Sequence, residues 1–178
     1  MVALVAVRTR VATVDDVVDI ARIRMTGWQS AYAGIVPAEV LDSFTLEDKI
    51  VEGERWFAQL DAAAEVALVA EDEAGVRGWA VAGTARDDNA PRASGELRAI
   101  YVDPASWGRG CGRALLGTAE TWLAEAGFAS AYLWTFEANG LARAFYEHCG
   151  WAADGTRRDI DIRGPIPELR YAKRLAPR

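Results

Sequence analysis

The stretch that decides the fold runs Glu96-Leu-Arg-Ala-Ile-Tyr-Val-Asp-Pro-Ala-Ser-Trp-Gly-Arg-Gly-Cys-Gly-Arg-Ala-Leu-Leu116. Glu96 to Val102 reads as a strand, and Asp103-Pro104 turns the chain. Gly108, Gly110 and Gly112 then form a glycine-rich loop at the head of a long helix. The apolar positions Leu115, Leu116, Ala119, Trp122, Leu123 and Ala126 give that helix its period, and Gly127 ends it. Such a loop can aim several backbone N–H groups at one point, at the positive end of the helix dipole. Small residues also let a polyanion approach the backbone. A pyrophosphate suits this arrangement, with Gly108, Arg109, Gly110, Cys111, Gly112 and Arg113 as its candidate holders. A tight strand–helix connection with no ligand would use the same glycines. Two rival phosphate motifs do not fit. A dinucleotide fingerprint needs glycine at position 113 or 115, where the chain has Arg113 and Leu115, and no Gly-Lys-Ser/Thr of a Walker A loop is present.

Working outward from this stretch, Val66 to Ala70 and Val76 to Thr84 read as strands joined by a hairpin turn at Asp72 to Gly75. A polar loop, Arg86 to Ser94, leads into the central strand. Upstream, Val7 to Ala12 alternates as a strand does. Thr13 with Asp16 resembles a capping box, opening a helix with Val17, Ile20, Ala21, Met25, Trp28 and Tyr32 on one face. Gly34 and Pro37 punctuate it, and Thr45 with Asp48 opens a second helical stretch carrying Leu46, Ile50, Phe57 and Leu60. Downstream, Ala129 to Phe136 is an aromatic-rich strand, and Asn139-Gly140 starts a short helix through Glu147. Arg158 to Ile162 and Leu169 to Leu175 are the closing strands, with Gly164 to Pro167 as the loop before the last. The pattern is that of a mixed α/β domain, one unit spanning residues 1–178.

Composition bounds the function. The chain has 178 residues, 51% hydrophobic and 26% charged, which excludes a disordered chain or a disulfide-built miniprotein. Twenty basic against 26 acidic side chains give a net charge of −6, which argues against bulk electrostatic binding of nucleic acid and leans toward a cationic partner. With Cys111 and Cys149 the only cysteines and His148 the only histidine, no metal or redox spacing exists. The apolar start, Met1 to Val7, is too short for a signal peptide or a membrane span, so no membrane partner and a cytoplasmic location are expected.

The glycine segment is similar to the shared motif of the GNAT acyl-CoA-dependent N-acyltransferases: a strand, then Gln/Arg-x-x-Gly-x-Gly/Ala, then a helix. Here it falls on Trp107-Gly108-Arg109-Gly110-Cys111-Gly112. An asparagine after the next strand and a tyrosine in the short helix beyond it stand at the family's spacings as Asn139 and Tyr146. Thr13 to Asp16, Trp28, Tyr32, Gly34, Pro37 and the ending Leu169-Arg170-Tyr171 also resemble it. The resemblance implies a mostly antiparallel mixed sheet of about six or seven strands flanked by helices and splayed between strands 4 and 5. Pantetheine and the thioester of acetyl-CoA, the implied co-substrate, would lie in that gap against backbone groups of Ile100, Tyr101 and Val102. Trp107 stands where the family has Gln or Arg, so a side-chain contact from that position is in doubt, and its ring either packs or covers the ligand.

The implied reaction is acetyl transfer to an amine-bearing small molecule or a protein amine, by direct attack without an acyl-enzyme. Relatives also suggest a homodimer. An alkyl amine, with a pKa of about 10.4, must lose a proton to attack. Glu96 is the candidate base, or else a strand carboxylate paired with Arg98 or Arg8. Tyr146 matches the family's tyrosine acid, or else is a core aromatic beside Phe145. Asn139 is placed to touch the pantetheine arm, to cap its helix, or both. Trp28 and Tyr32 share a helical face and would wall the acceptor site, with a core role equally open. Trp134 occupies the place where some relatives carry a glutamate. Cys111 reads as packing rather than as a nucleophile, and His148 as a solvated residue. A catalytically silent acyl-CoA-binding sensor or interaction module is the alternative function.

Overall fold

A computed structural model of the chain describes residues 7–176. Of the apolar start only Val7 lies within that span, and Met1 to Ala6 lie outside the described residues. All the described strands join one seven-stranded sheet in the order β1-β2-β3-β4-β5-β7-β6. The strands are β1 (Arg8–Val11), β2 (Glu65–Asp72), β3 (Gly75–Thr84), β4 (Ser94–Val102), β5 (Ser130–Phe136), β6 (Ala152–Asp161) and β7 (Pro165–Arg174). The helices are α1 (Val17–Ala31), α2 (Ala38–Asp42), α3 (Leu46–Gln59), α4 (Cys111–Glu125) and α5 (Gly140–His148). Every strand pairing is antiparallel except β4 with β5. No helix among the described residues is long and apolar enough to cross a membrane.

The local signals act as their chemistry requires. The Thr13 N–H donates to Asp16 Oδ2 at 2.8 Å, closing a box over a single 3-10 turn ahead of α1. Thr45 Oγ1 accepts from the Asp48 N–H at 3.1 Å and starts α3. Gly127 ends α4 with a φ of +92°, where a side chain would be strained. Of the apolar positions on α4, Leu115, Leu116, Ala119 and Leu123 are buried, Trp122 is half-buried, and Ala126 is exposed as the C-cap residue.

Ala38–Asp42 after Pro37 forms α2, a single turn too short to show a period. One expectation needs correction. Pro165 to Pro167 is not a loop but the start of β7, pairing with Asp161 and Asp159 of β6. Proline is tolerated there because β5 ends its ladder at Phe136↔Glu168, and beyond that point Pro167 O accepts from the Glu137 N–H at 2.9 Å.

The sheet divides the core. Against one face, α4 and α5 bury Leu97, Leu115, Leu116, Leu123, Leu133, Tyr146 and Tyr171. Against the other, α1 and α3 cover Val69, Trp79 and Val81, with Ile20 and Ile23 of α1 fully or nearly buried. A smaller cluster of Val36, Leu41, Phe136 and Ile166, packed with Trp28 and Tyr32, closes that second face beyond β5.

Candidate active site

The site begins where the sheet fails. β4 and β5 pair only through Ser94↔Ser130, Gly95↔Ala131 and Glu96↔Tyr132, although β4 runs on to Val102 and β5 to Phe136. A bulge forces the parting: Val81 faces Ala99 and Ala82 faces Leu97, so Arg98 is an extra residue on β4. Such an insertion bends a strand and re-aims the residues beyond it. The edge of β4 that faces β5 therefore carries backbone groups with no strand partner beyond Glu96, and groups of this kind need one. Between the strands lies a narrow cleft of about 100 Å³, lined by Ile100 and Tyr101 of β4, Trp134 and Thr135 of β5, Asn139, Tyr146 and Tyr32, among others.

The glycine loop meets the end of β4. Asp103 Oδ1 accepts from the Ala105 N–H at 3.0 Å, and its Oδ2 accepts from Arg22 Nη1 at 2.7 Å, which fixes the turn to α1. Gly108 and Gly110 take φ of +75° and +91°. Gly110 is the N-cap of α4, and Ala114 already bonds back to its carbonyl at 3.0 Å. The amides of Gly110, Cys111, Gly112 and Arg113 bond to no acceptor among the described residues, as the first turn of any helix requires. A Cβ on Gly108 or Gly110 would meet nothing within 4 Å, so the space beside those amides is open. Gly112 differs: a Cβ there would sit 3.3 Å from the Phe145 ring, so its smallness serves packing. Arg109 and Arg113 are exposed and carry no ion pair among the described residues. Open amides, two exposed guanidiniums and an unpaired strand edge fit a polyanion joined to a peptide-like arm.

Trp107, the departure from the family pattern, ties its indole to the end of β4. Its indole N–H donates to Val102 O at 2.9 Å, while 41% of the residue stays exposed. Of the three residues expected to offer backbone groups, Val102 thus has its carbonyl oxygen already engaged. Cys111 is buried in the core on the α4 side, and burial pushes its thiol upward, so only its backbone N–H is of use to a ligand.

Tyr146 is both a cleft residue and a core aromatic. It lines the cleft, and its ring lies 5.3 Å from Phe145 and 6.1 Å from Tyr171. Burial, with Tyr101 nearby, drives its hydroxyl well above the ordinary tyrosine range, so it stays protonated. Asn139 also holds two positions: Oδ1 accepts from the Ala142 N–H at 3.1 Å as the cap of α5, and the residue lines the cleft. His148 is exposed.

The aromatic residues of α1 gather at the other flank. Trp28 Nε1 donates to the Tyr101 hydroxyl at 2.9 Å, and the Trp28 and Tyr32 rings meet edge-on at 5.0 Å. Tyr32 also meets Phe136 edge-on at 4.7 Å. Trp28 and Tyr32 therefore belong to a packed cluster, with Tyr32 alone of the two lining the cleft. Burial raises the Tyr32 hydroxyl far above its usual range, helped by Tyr101, Tyr146 and Glu168.

Glu96 sits at the closed end of the split and is 4% exposed. Arg8 is not its partner, since it pairs with Glu71, and Arg98 reaches it only as a long ion pair, Nε to Oε2 at 4.0 Å. Instead Arg86, from the loop between β3 and β4, grips both oxygens: Nη2 to Oε1 at 2.7 Å and Nε to Oε2 at 2.9 Å. The reason is the bulge, which turns Arg98 toward Glu65 and Thr84 O.

The sequence pattern did not reveal the rest of this flank. Asp87 Oδ2 accepts from Trp134 Nε1 at 2.6 Å, and the Arg158 guanidinium lies 4.0 Å over the Trp134 ring. Arg158 also donates to Glu168 at 2.7 Å, and Arg170 donates to Asp154 at 2.6 Å and to Asn89 O at 3.0 Å. Three of these side chains, Glu168, Arg170 and Trp134, alternate on adjacent antiparallel strands, and that alternation of charged and aromatic positions was the available signal.

Comparison with known proteins bears on this geometry. A family model described as Acetyltransferase (GNAT) family matches residues 30–151. A relative in Bacillus subtilis (strain 168), the uncharacterized N-acetyltransferase YuaI, is 32% identical over 134 residues, covering 75% of this chain and 73% of its own. Among solved structures, the PaiA N-acetyltransferase of Thermoplasma acidophilum in complex with coenzyme A superposes with a TM-score of 0.70 at 20% identity, over 95% of this chain and 99% of that one. YncA of Salmonella typhimurium with acetyl-CoA gives 0.70 at 19% identity, over 96% and 95%.

Proposed function

Since the chain belongs to the GNAT acetyltransferase family, we propose that it carries an acetyl group from acetyl-CoA to a primary amine, by direct attack and without an acyl-enzyme. The observation that carries the reading is the early end of the β4–β5 ladder at Glu96↔Tyr132, which leaves an unpaired strand edge facing Tyr146 across the cleft. Two of the superposing structures hold coenzyme A or acetyl-CoA.

Acetyl-CoA brings an activated acyl thioester. This chain's residues hold it and move protons. The amides of Gly110 to Arg113 take the pyrophosphate, with Arg109 and Arg113 adding charge. Backbone groups of Ile100 and Tyr101 take the pantetheine arm, and an N–H of that edge stabilises negative charge on the thioester oxygen. Asn139 adds a contact to the arm while capping α5. Tyr146, held protonated by burial, gives its proton to the departing thiolate. Glu96 receives the proton of the acceptor amine through water, because it stands where the strands part. Trp28, Tyr32 and Trp134 shape the acceptor end, and positioning supplies most of the acceleration.

Calorimetric titration with acetyl-CoA, with NAD as the control, tests the first half. Micromolar binding of acetyl-CoA and none of NAD is the expected result. Release of free thiol in the presence of a panel of amines then tests transfer. Binding with no thiol release from any small amine or basic peptide would favour a silent acyl-CoA-binding module.

A further inference from the structure

The loop between β3 and β4, residues 85–93, lies across the acceptor face of β5, β7 and β6, tied by polar contacts at successive points. Tyr132 OH accepts from the Arg86 and Asp87 N–H groups at 3.3 Å each. Asp87 bonds to Trp134 at 2.6 Å and to Arg158 at 3.3 Å, and Asn89 O accepts from Arg170 at 3.0 Å. The loop is therefore fixed at Arg86 and at the residues that follow it. From there Arg86 places its Nε, Nη2 and backbone N–H on Glu96, the last at 3.2 Å to Oε2. The Arg86 side chain is 60% exposed, while that of Glu96 is 5% exposed. The guanidinium is thus the cover between the carboxylate and solvent.

We propose that Arg86 is a positioning residue for the transfer reaction, holding both oxygens of the Glu96 carboxylate in place at the point where β4 and β5 part. This rests on the reading of Glu96 as the base. A base takes a proton only from a donor within reach of a well-aimed oxygen, and without the guanidinium the Glu96 carboxylate loses the bidentate grip that aims it. The other groups facing Glu96 do not replace Arg86. Arg98 Nε pairs with Oε2 only at 4.0 Å, too far for a hydrogen bond, with its two Nη groups bonded to Glu65 and Thr84, and the Tyr132 hydroxyl brings no charge. Asp87, the remaining charge nearby, carries the wrong sign. Oε1 accepts from Arg86 Nη2, and a carboxylate oxygen has a second lone pair that can take a water.

The test is a double-mutant cycle read as kcat and KM. Arg86→Met is expected to lower kcat about tenfold or more while the KM for acetyl-CoA stays within about twofold. Arg86→Lys should recover most of the rate, because it restores a charged donor to the carboxylate. In the E96Q background, Arg86→Met should change kcat by less than about twofold, since its target is gone. Arg86→Gln, which keeps a donor, replaces Arg86→Met if the latter unfolds. An equal loss from Arg86→Met in both backgrounds, or no recovery with Arg86→Lys, would overturn the inference while leaving Glu96 as the base. If E96Q alone keeps wild-type kcat, it is the base reading that fails, and the role of Arg86 fails with it.

Discussion

The two flanks of the split sheet are built in opposite ways. The flank toward α4 is made of backbone: amides at a helix start, an unpaired strand edge and glycines with open space beside them, all supplied by one run from Ile100 to Arg113. The opposite flank, which we propose takes the acceptor, is made of side chains from distant places: Trp28 and Tyr32, Arg86 and Asp87, Trp134, Arg158, and Glu168 with Arg170. A backbone site depends on conformation and tolerates exchange of side chains. A side-chain network depends on each member, because every buried charge needs its own partner. The two should therefore respond differently to substitution.

The largest effect is expected at Gly110. Its φ of +91° disfavours a branched residue by roughly 1–2 kcal/mol, and the side chain would project into the open space beside the amides. Gly110→Val should weaken acetyl-CoA binding about a hundredfold or more in calorimetry, equivalent to about 2.7 kcal/mol. Circular dichroism should show the sheet intact. Unchanged affinity would break the comparison, because the flank would then not be a backbone site.

Tyr146→Phe comes next. It removes only the hydroxyl, so kcat should fall on the order of 10–100-fold with the KM for acetyl-CoA nearly unchanged. Because burial raises this tyrosine, it keeps its proton above the ordinary value of about 10. The wild-type rate should consequently show no loss from tyrosine ionisation up to about pH 10. A decline centred near pH 8 that Tyr146→Phe abolishes would refute the assignment. A silent binding module would show no change in either measurement.

Asp87→Ala sharpens the comparison from the other flank. It frees the Trp134 indole and one Arg158 contact without touching the loop of Gly108 to Arg113. The acceptor KM should rise roughly tenfold, in line with about 1.5 kcal/mol, the low end for a lost hydrogen bond to a charged group, and acetyl-CoA affinity should stay the same. An effect on both would mean that the flanks are coupled through the sheet.

This division also accounts for what was legible in the sequence. The strand, the turn at Asp103, the glycines and the period of α4 are contiguous, so local chemistry names them, and Tyr146 and Asn139 stand at fixed spacing along the next strand and helix. The partner of Glu96 was not legible. Arg98 is nearer in sequence, but the bulge at that residue sends it to Glu65 and leaves the place to Arg86. Asp87 and Arg158 are 71 residues apart and meet only because β6 folds back on β7. Pro165 and Pro167 looked like loop because proline lacks a ladder donor, which costs nothing once the neighbouring β5 has ended.

Trp107 sets the smallest expected effect and the finest test. The family pattern has Gln or Arg at this position, so Trp107→Gln restores the usual residue. If the flank is made of amides, the side chain matters little to binding: the indole N–H is spent on Val102 O at 2.9 Å. The substitution should move the acetyl-CoA KM by no more than about threefold and lower stability by roughly 1 kcal/mol for the lost hydrogen bond. Thermal unfolding and steady-state kinetics measure the two separately. A tenfold tighter KM would show that the tryptophan obstructs a site awaiting a polar side chain, and a tenfold weaker one that its ring covers the bound ligand. Either outcome would move a side chain into the flank that the structure builds from backbone.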